Sequence, residues 1–347
     1  MGYEAVRARL NLLAVLPNLE DVVRYDPEAA DLVKGARITI QFVVAGGPRA
    51  YVRIADGDCT VSAGMAPGAR PMRLVRGARR STGGAWGADA SDGGRGADGL
   101  SEVGAGASAG AGASASTEAG ASTEAGASAT GDAPGAGASP VASADWGASD
   151  AATSAGAVDT KEATVVLGFA SCAHLNKMFD GKGNPVPLWG FTKIGFLTRT
   201  FAKLTERMAY FLKPTDELLA DPDYLALNTR LTLNTAAFAV PVLLENDPDC
   251  MHLRHALTAG TIGIKVLPDG PSVGLRLGPG GVRPSKGEPA DPSALILMRD
   301  LPTASAYLNG KLDTFSAATK GQVQIWGQIG KIEAVGLVLD RVPKYLA

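Results

Sequence analysis

The chain repeats itself. Tyr3, Ala5, Arg9, Leu10, Leu12, Asp26, Pro27 and Leu32 recur, without a gap, as Tyr224, Ala226, Arg230, Leu231, Leu233, Asp247, Pro248 and Leu253. After a three-residue insertion Ile38 and Ile40 match Ile262 and Ile264, and one deletion later Pro48, Arg53, Gly57 and Gly64 match Pro271, Arg276, Gly280 and Gly287. A period of this length marks a duplicated folding unit of ordinary domain size, so whatever architecture the first copy adopts, the second must adopt as well.

The unit reads as helix, strands, helix, strand and helix. Val6, Leu10, Leu13, Leu16 and Val23 predict an opening helix broken or bent at Pro17, and Asp26 and Pro27 start a second, short one. Ile38 to Phe42, Ala50 to Ile54 and Cys59 to Val61, separated by Gly-containing turns, predict a three-stranded meander. At the far end of the second copy, Gln322 to Trp326 alternates polar and apolar between Gly321 and Gly327, a strand with one face covered. Ile332, Val335, Leu339 and Val342 then predict an amphipathic closing helix up to Pro343, and Leu197, Phe201, Leu204, Met208 and Phe211 form the same stripe in the first copy.

One segment stands outside the pattern. Between Ser81 and Thr160 the chain is Gly, Ala and Ser with ten acidic residues against the single base Arg95, and it offers too few large side chains to build a core. It is expected to be disordered, an insertion between two strands of the first copy. The expected domains are therefore 1–215, interrupted at 81–160, and 222–347. The chain's net charge of -2 averages this acidic insert with a mildly basic remainder whose Lys and Arg are scattered rather than clustered. That scatter points away from nucleic acid. No run reaches the length of a membrane span, the N-terminus lacks an apolar leader, and three distant cysteines without a CxxC form no disulfide framework, so a soluble cytoplasmic protein is expected.

Tyr307 to Leu312, then Ala317 and Lys320 to Gly327, follow a pattern of a helix ending in Gly-Lys-Leu, a small residue, and a strand between glycines. In this the chain resembles the sterol carrier protein 2 superfamily. The first copy keeps Met178, Phe179, Gly181, Lys182 and Gly190 to Ile194 but departs at Gly183 to Pro187, which puts its connecting helix in question. The resemblance implies an α+β fold of two tandem domains, each a mixed or antiparallel sheet covered by helices, with an apolar cavity between sheet and helices for a fatty acyl chain, sterol or phospholipid. The residues it implies as ligand-binding are Val323, Ile325, Val335 and Leu339 in the second copy and Ile194, Leu204 and Met208 in the first, each of which core packing also explains.

Asp247, Asp249, Cys250, His252 and His255 form the chain's densest polar group, but the matching stretch of the first copy has the same helical pattern without His or Cys, so Asp247 is read as capping an ordinary amphipathic helix. Gly278 to Gly281 lies between two strands and reads as a hairpin turn. Arg53 and Arg276, mid-strand, read as an exposed strand face. No catalytic motif is present, and an enzyme, a metal site or a cofactor is not expected. The expectation is a non-catalytic binder of a lipid or other apolar small molecule, with transient membrane-surface contact. The alternative is an interaction or dimerisation module whose cavities have closed.

Overall fold

The structure, a computed structural model, describes residues 1–67 and 164–346. The expectation of disorder over 81–160 falls outside those residues.

The first repeat opens with a helix in two segments, α1 (Tyr3–Leu10) and α2 (Asn18–Tyr25), joined through a π-helical turn at Asn11–Val15. Pro17 has no N–H to offer the helix, and the wide turn before it, with the Leu16 N–H on the Asn11 carbonyl at 2.9 Å, absorbs the mismatch. The short helix α3 (Pro27–Val33) follows, then the meander β1 (Ile38–Val44), β2 (Arg49–Ala55) and β3 (Asp58–Ala63). Beyond the insert come β4 (Val165–Phe169), α4 (Cys172–Phe179), the short strand β5 (Val186–Trp189), α5 (Ile194–Phe196) and the closing helix α6 (Ala202–Leu212). The second repeat has one unbroken opening helix, α7 (Pro222–Asn246), then β6 (Gly260–Val266), β7 (Ser272–Gly278), β8 (Gly281–Lys286) and β9 (Ala294–Met298). Helices α8 (Leu301–Leu308) and α9 (Thr314–Thr319), strand β10 (Val323–Gly327), closing helix α10 (Ile329–Leu339) and α11 (Val342–Leu346) complete it.

Both sheets have the same order, β3-β2-β1-β4-β5 and β8-β7-β6-β9-β10, with one parallel pair, β1 with β4 and β6 with β9, in an otherwise antiparallel ladder. The expected α+β fold of two helix-covered sheets is observed. The connecting helix questioned in the first copy is absent there: α4 runs into a turn and directly to β5, whereas the second copy has α9 at that place.

The opening helices do more than cover their own sheets. Ala8, Leu12, Leu16 and Leu19 pack on the first sheet, but Val6, Leu10 and Ala14 of the same helix lie in the core of the second sheet. Reciprocally, Leu233, Ala237 and Val240 pack on the second sheet while Tyr224, Leu227 and Leu231 lie in the core of the first. The matched tyrosines make the exchange explicit. The Tyr3 hydroxyl donates to the Lys344 carbonyl at 3.2 Å and its ring stacks on Tyr345, and Tyr224 donates to the Tyr210 carbonyl at 2.8 Å beside Phe211. Each opening helix thus docks on the closing segment of the other repeat, and all the described residues belong to one unit.

Polar groups follow the same symmetry. Asp26 accepts from Arg207 of α6 at 2.7 and 2.9 Å, and its counterpart Asp247 accepts at 3.3 Å from Arg341, in the turn between α10 and α11 that interrupts the closing helix expected up to Pro343. At the centre, Lys286 of β8 reaches across to α2, donating to Glu20 at 2.8 Å, to the Pro17 carbonyl at 3.0 Å and to Asp21. Asn234 of α7 donates to the same Asp21 at 3.0 Å. Burial by itself would lower the Lys286 pKa, but Asp21 and Glu20 outweigh it and raise the ammonium above its ordinary value.

Candidate ligand-binding site

Two hollows are candidates. The larger, about 960 Å³, is an open cleft where the α2–α3 junction and α6 meet the start of α7 and the turn after β6. Its aromatic walls are already used by the protein. The Arg207 guanidinium lies 5.2 Å from the ring centroids of both Tyr210 and Phe211, and Arg230 lies 4.3 Å over Tyr25. Arg207 is further held by Asp26 and by Glu28 at 3.2 Å, and hydrogen bonding to Asp26 keeps it above its usual pKa. The cleft is therefore lined by groups that satisfy one another, with Asp221, Asp223 and Asp269 at its margin.

The second hollow, about 520 Å³, lies between sheet and helix in the second repeat, and its origin is visible by comparing the copies. In the first repeat α3 packs against α2 and α6 and buries Ala29 and Val33 completely, in the same core that buries Ile54 and Cys59. The corresponding stretch of the second repeat was expected to be an amphipathic helix capped by Asp247. It is instead a 3-10 turn, Met251–His255, that buries none of its residues. Arg254 stands where the first copy has Val33, so the apolar anchor that would draw the turn into the core is gone. The space left open is lined by Pro241 and Leu244 of α7, Leu257 beyond the turn, and Leu277 and Val282 of the β7–β8 hairpin, with Glu245, Arg254 and His255 around it. A hollow of this size, with an apolar wall and a few polar groups at its margin, suits a small apolar ligand carrying one polar end.

The seven residues implied as ligand-binding are placed as follows. Val323, Val335, Leu204 and Met208 are buried in the two cores, Ile325 and Leu339 are half-buried against the second, and Ile194 is 38% exposed. None lines either hollow. Sequence reasoning missed Leu257, Leu277 and Val282. The available signal was the loss of Val33 at position 254, which breaks the repeat's own apolar pattern.

The Asp247 group is structural. Its carboxylate accepts from the Asp249 N–H at 3.0 Å and from Arg341, and is contacted by the Cys250 thiol. Burial opposes its ionisation, but the bond from Asp249, with those from Arg341 and Tyr345, holds its pKa below the usual carboxylate range. Burial, followed by the nearby Asp247, pushes the Tyr345 phenol up to about 12 and the Cys250 thiol up to about 11. Among the described residues no group of three or more His, Cys, Asp or Glu side chains could hold a metal ion, and no helix is long and apolar enough to cross a membrane.

No family model matches the chain, and no curated protein matches it. Among solved structures it is similar to UbiJ-SCP2, a ubiquinone synthesis protein, at 14% identity over 32% of this chain and 93% of that one, with a TM-score of 0.26. It is similar to the sterol carrier protein domain 2 of Helicoverpa armigera at 18% identity over 32% and 87% of the two chains, TM-score 0.26. A sterol carrier protein 2 crystal structure gives 25% identity over 28% and 84%, TM-score 0.22. These are partial likenesses, and the description of the fold stands on the chain's own two sheets.

Proposed function

We propose that the protein is a non-catalytic binder of an apolar small molecule of the lipid type, and that the ligand enters the hollow between α7 and the β7–β8 hairpin of the second repeat. The observation that carries this reading is the asymmetry of the copies: Val33 is fully buried in the first repeat, and Arg254, its counterpart in the second, borders an open hollow. An acyl chain lying along Leu244, Leu257, Leu277 and Val282 would gain roughly 0.8 kcal/mol for each buried methylene without any directed polar contact. Arg254 and His255 would meet an anionic end group.

The test is a thermal-unfolding titration with a long-chain fatty acid and with the matching alcohol. A ligand held at a hundred times its Kd raises stability by about 2.7 kcal/mol. The shift should vanish in Val282→Trp, which fills the hollow from its rim, and Arg254→Glu should weaken the acid about tenfold while sparing the alcohol. No shift in the native chain, or the same shift in Val282→Trp, would refute the assignment. A second reading, an interaction module with closed cores, is favoured by one observation: Val323, Val335, Leu204 and Met208 are buried and line neither hollow. It predicts indifference to both titrants and a partner or self-association instead.

A further inference from the structure

The outer edges of the two sheets carry matched tryptophans, Trp189 on β5 and Trp326 on β10, each 61% exposed. Each is followed by a left-handed glycine, Gly190 at φ 84° and Gly327 at φ 82°. The apolar exposure continues past both, to Phe191 at 62% in the first repeat and to Ile329 at 62% in the second, and in the first Val186 and Ile194 extend it. The two edges differ in charge. From residue 181 to 205 the first repeat has four cations, Lys182, Lys193, Arg199 and Lys203, all exposed, and no acidic residue. Among the described residues none of the four is in an ion pair. At the second edge Lys331 is buried with its ammonium on the Ala259 carbonyl, and Glu333 and Asp340 follow it.

We propose that the β5 edge of the first repeat is a docking surface for an anionic lipid bilayer. Trp189, Phe191 and Ile194 enter the headgroup boundary, and the four cations pair with lipid phosphates. An exposed tryptophan beside aliphatic side chains suits that boundary, where an amphipathic ring has one apolar and one wet side. Exposed cations near these rings in the chain add attraction only when the surface is anionic. Pairing of a second copy along β5 is opposed by Pro187, which removes a donor from an edge strand of four residues. Single-stranded nucleic acid would use the cations and rings but leaves Val186 and Ile194 without a role.

This surface is separate from the hollow of the second repeat, so each can fail without the other: docking is read by vesicle association of the whole chain, occupancy of the hollow by ligand titration. The experiment is co-sedimentation of the full chain with phosphatidylcholine vesicles, with and without phosphatidylglycerol, across a salt series. Binding should require the anionic lipid and fall with salt. It should drop at least about tenfold in Lys193→Glu/Arg199→Glu and in Trp189→Ser/Phe191→Ser, and stay within about twofold in Trp326→Ser/Ile329→Ser, the edge where acidic residues accompany the cations serving as control. All three variants change exposed side chains, and an unchanged thermal midpoint checks that they fold. Absence of vesicle binding, equal loss from either edge, capture of a single-stranded oligonucleotide in place of vesicles, or binding that arises only when residues 81–160 are deleted would each overturn the proposal.

Discussion

At the scale of single residues, the strictest requirements come from groups that recur in both copies. Gly190 and Gly327 sit in the left-handed region, and a Cβ on either would come 2.2 Å from a backbone carbonyl, that of Thr164 or Ser293. Backbone strain and a clash with main chain act together there. Gly327→Ala is expected to cost at least about 2 kcal/mol in urea unfolding, against near neutrality for Gly336→Ala, which meets open space within α10. Asp247 sets an acid limit. Its carboxyl ionises at lower pH in the fold than in the unfolded chain, so the unfolded chain takes up the proton first as pH falls. Its contribution is complete above the ordinary carboxylate range, near pH 4, and is lost progressively below it. Asp247→Asn should therefore flatten the acid limb of a stability-against-pH curve, and an unchanged limb would dismiss the role given to Arg341. The recurring Asp-Pro pairs were legible in the sequence, but not as caps: the Asp26 side chain makes no capping hydrogen bond on α3, and the helix expected after Asp247 is a 3-10 turn. Their partners were not legible, because Arg207 on α6 and Arg341 in the turn between α10 and α11 lie far along the chain and pair only once those segments dock.

Among the elements, strands were the more legible, since alternation over five residues needs only the local chain. β1, β2, β3 and β10 lie where period-2 patterning put them. Helices were legible as helices, but what each packs against was not. Leu225, Leu227, Leu231, Leu233, Phe238, Val240 and Leu243 of α7 are not confined to one stripe, and an apolar helix of this breadth must be covered on more than one side. That breadth does not tell which segment covers α7, and the exchange was not read from it. The 3-10 turn at Met251–His255 shows a different case, in which a helical reading carried over from the first copy fails because one anchoring side chain has become Arg254. The exchange has a measurable consequence. Leu10→Ala, a change in the first repeat, should lower stability by about 2–5 kcal/mol and raise hydrogen exchange in β6 and β9 of the second sheet. Faster exchange confined to the first repeat would mean that Leu10 supports only its own sheet.

At the scale of the whole molecule, duplication supplies two similar sheets, and divergence between the copies sets them apart. One copy carries a buried Val33; the other carries Arg254 and a hollow. One edge is aromatic and basic; the other is aromatic with acidic residues beside its cations. The interlocked opening helices tie these differences into one body, so that ligand and bilayer would be met by the same unit. The measurement that bears most directly on the central claim is native mass spectrometry of the full chain as purified, followed by solvent extraction of whatever dissociates. The account predicts one lipid-sized apolar molecule per chain, present in the native protein and absent from Val282→Trp. A bare chain that also refuses added fatty acid, or one that keeps its ligand in Val282→Trp, would contradict it.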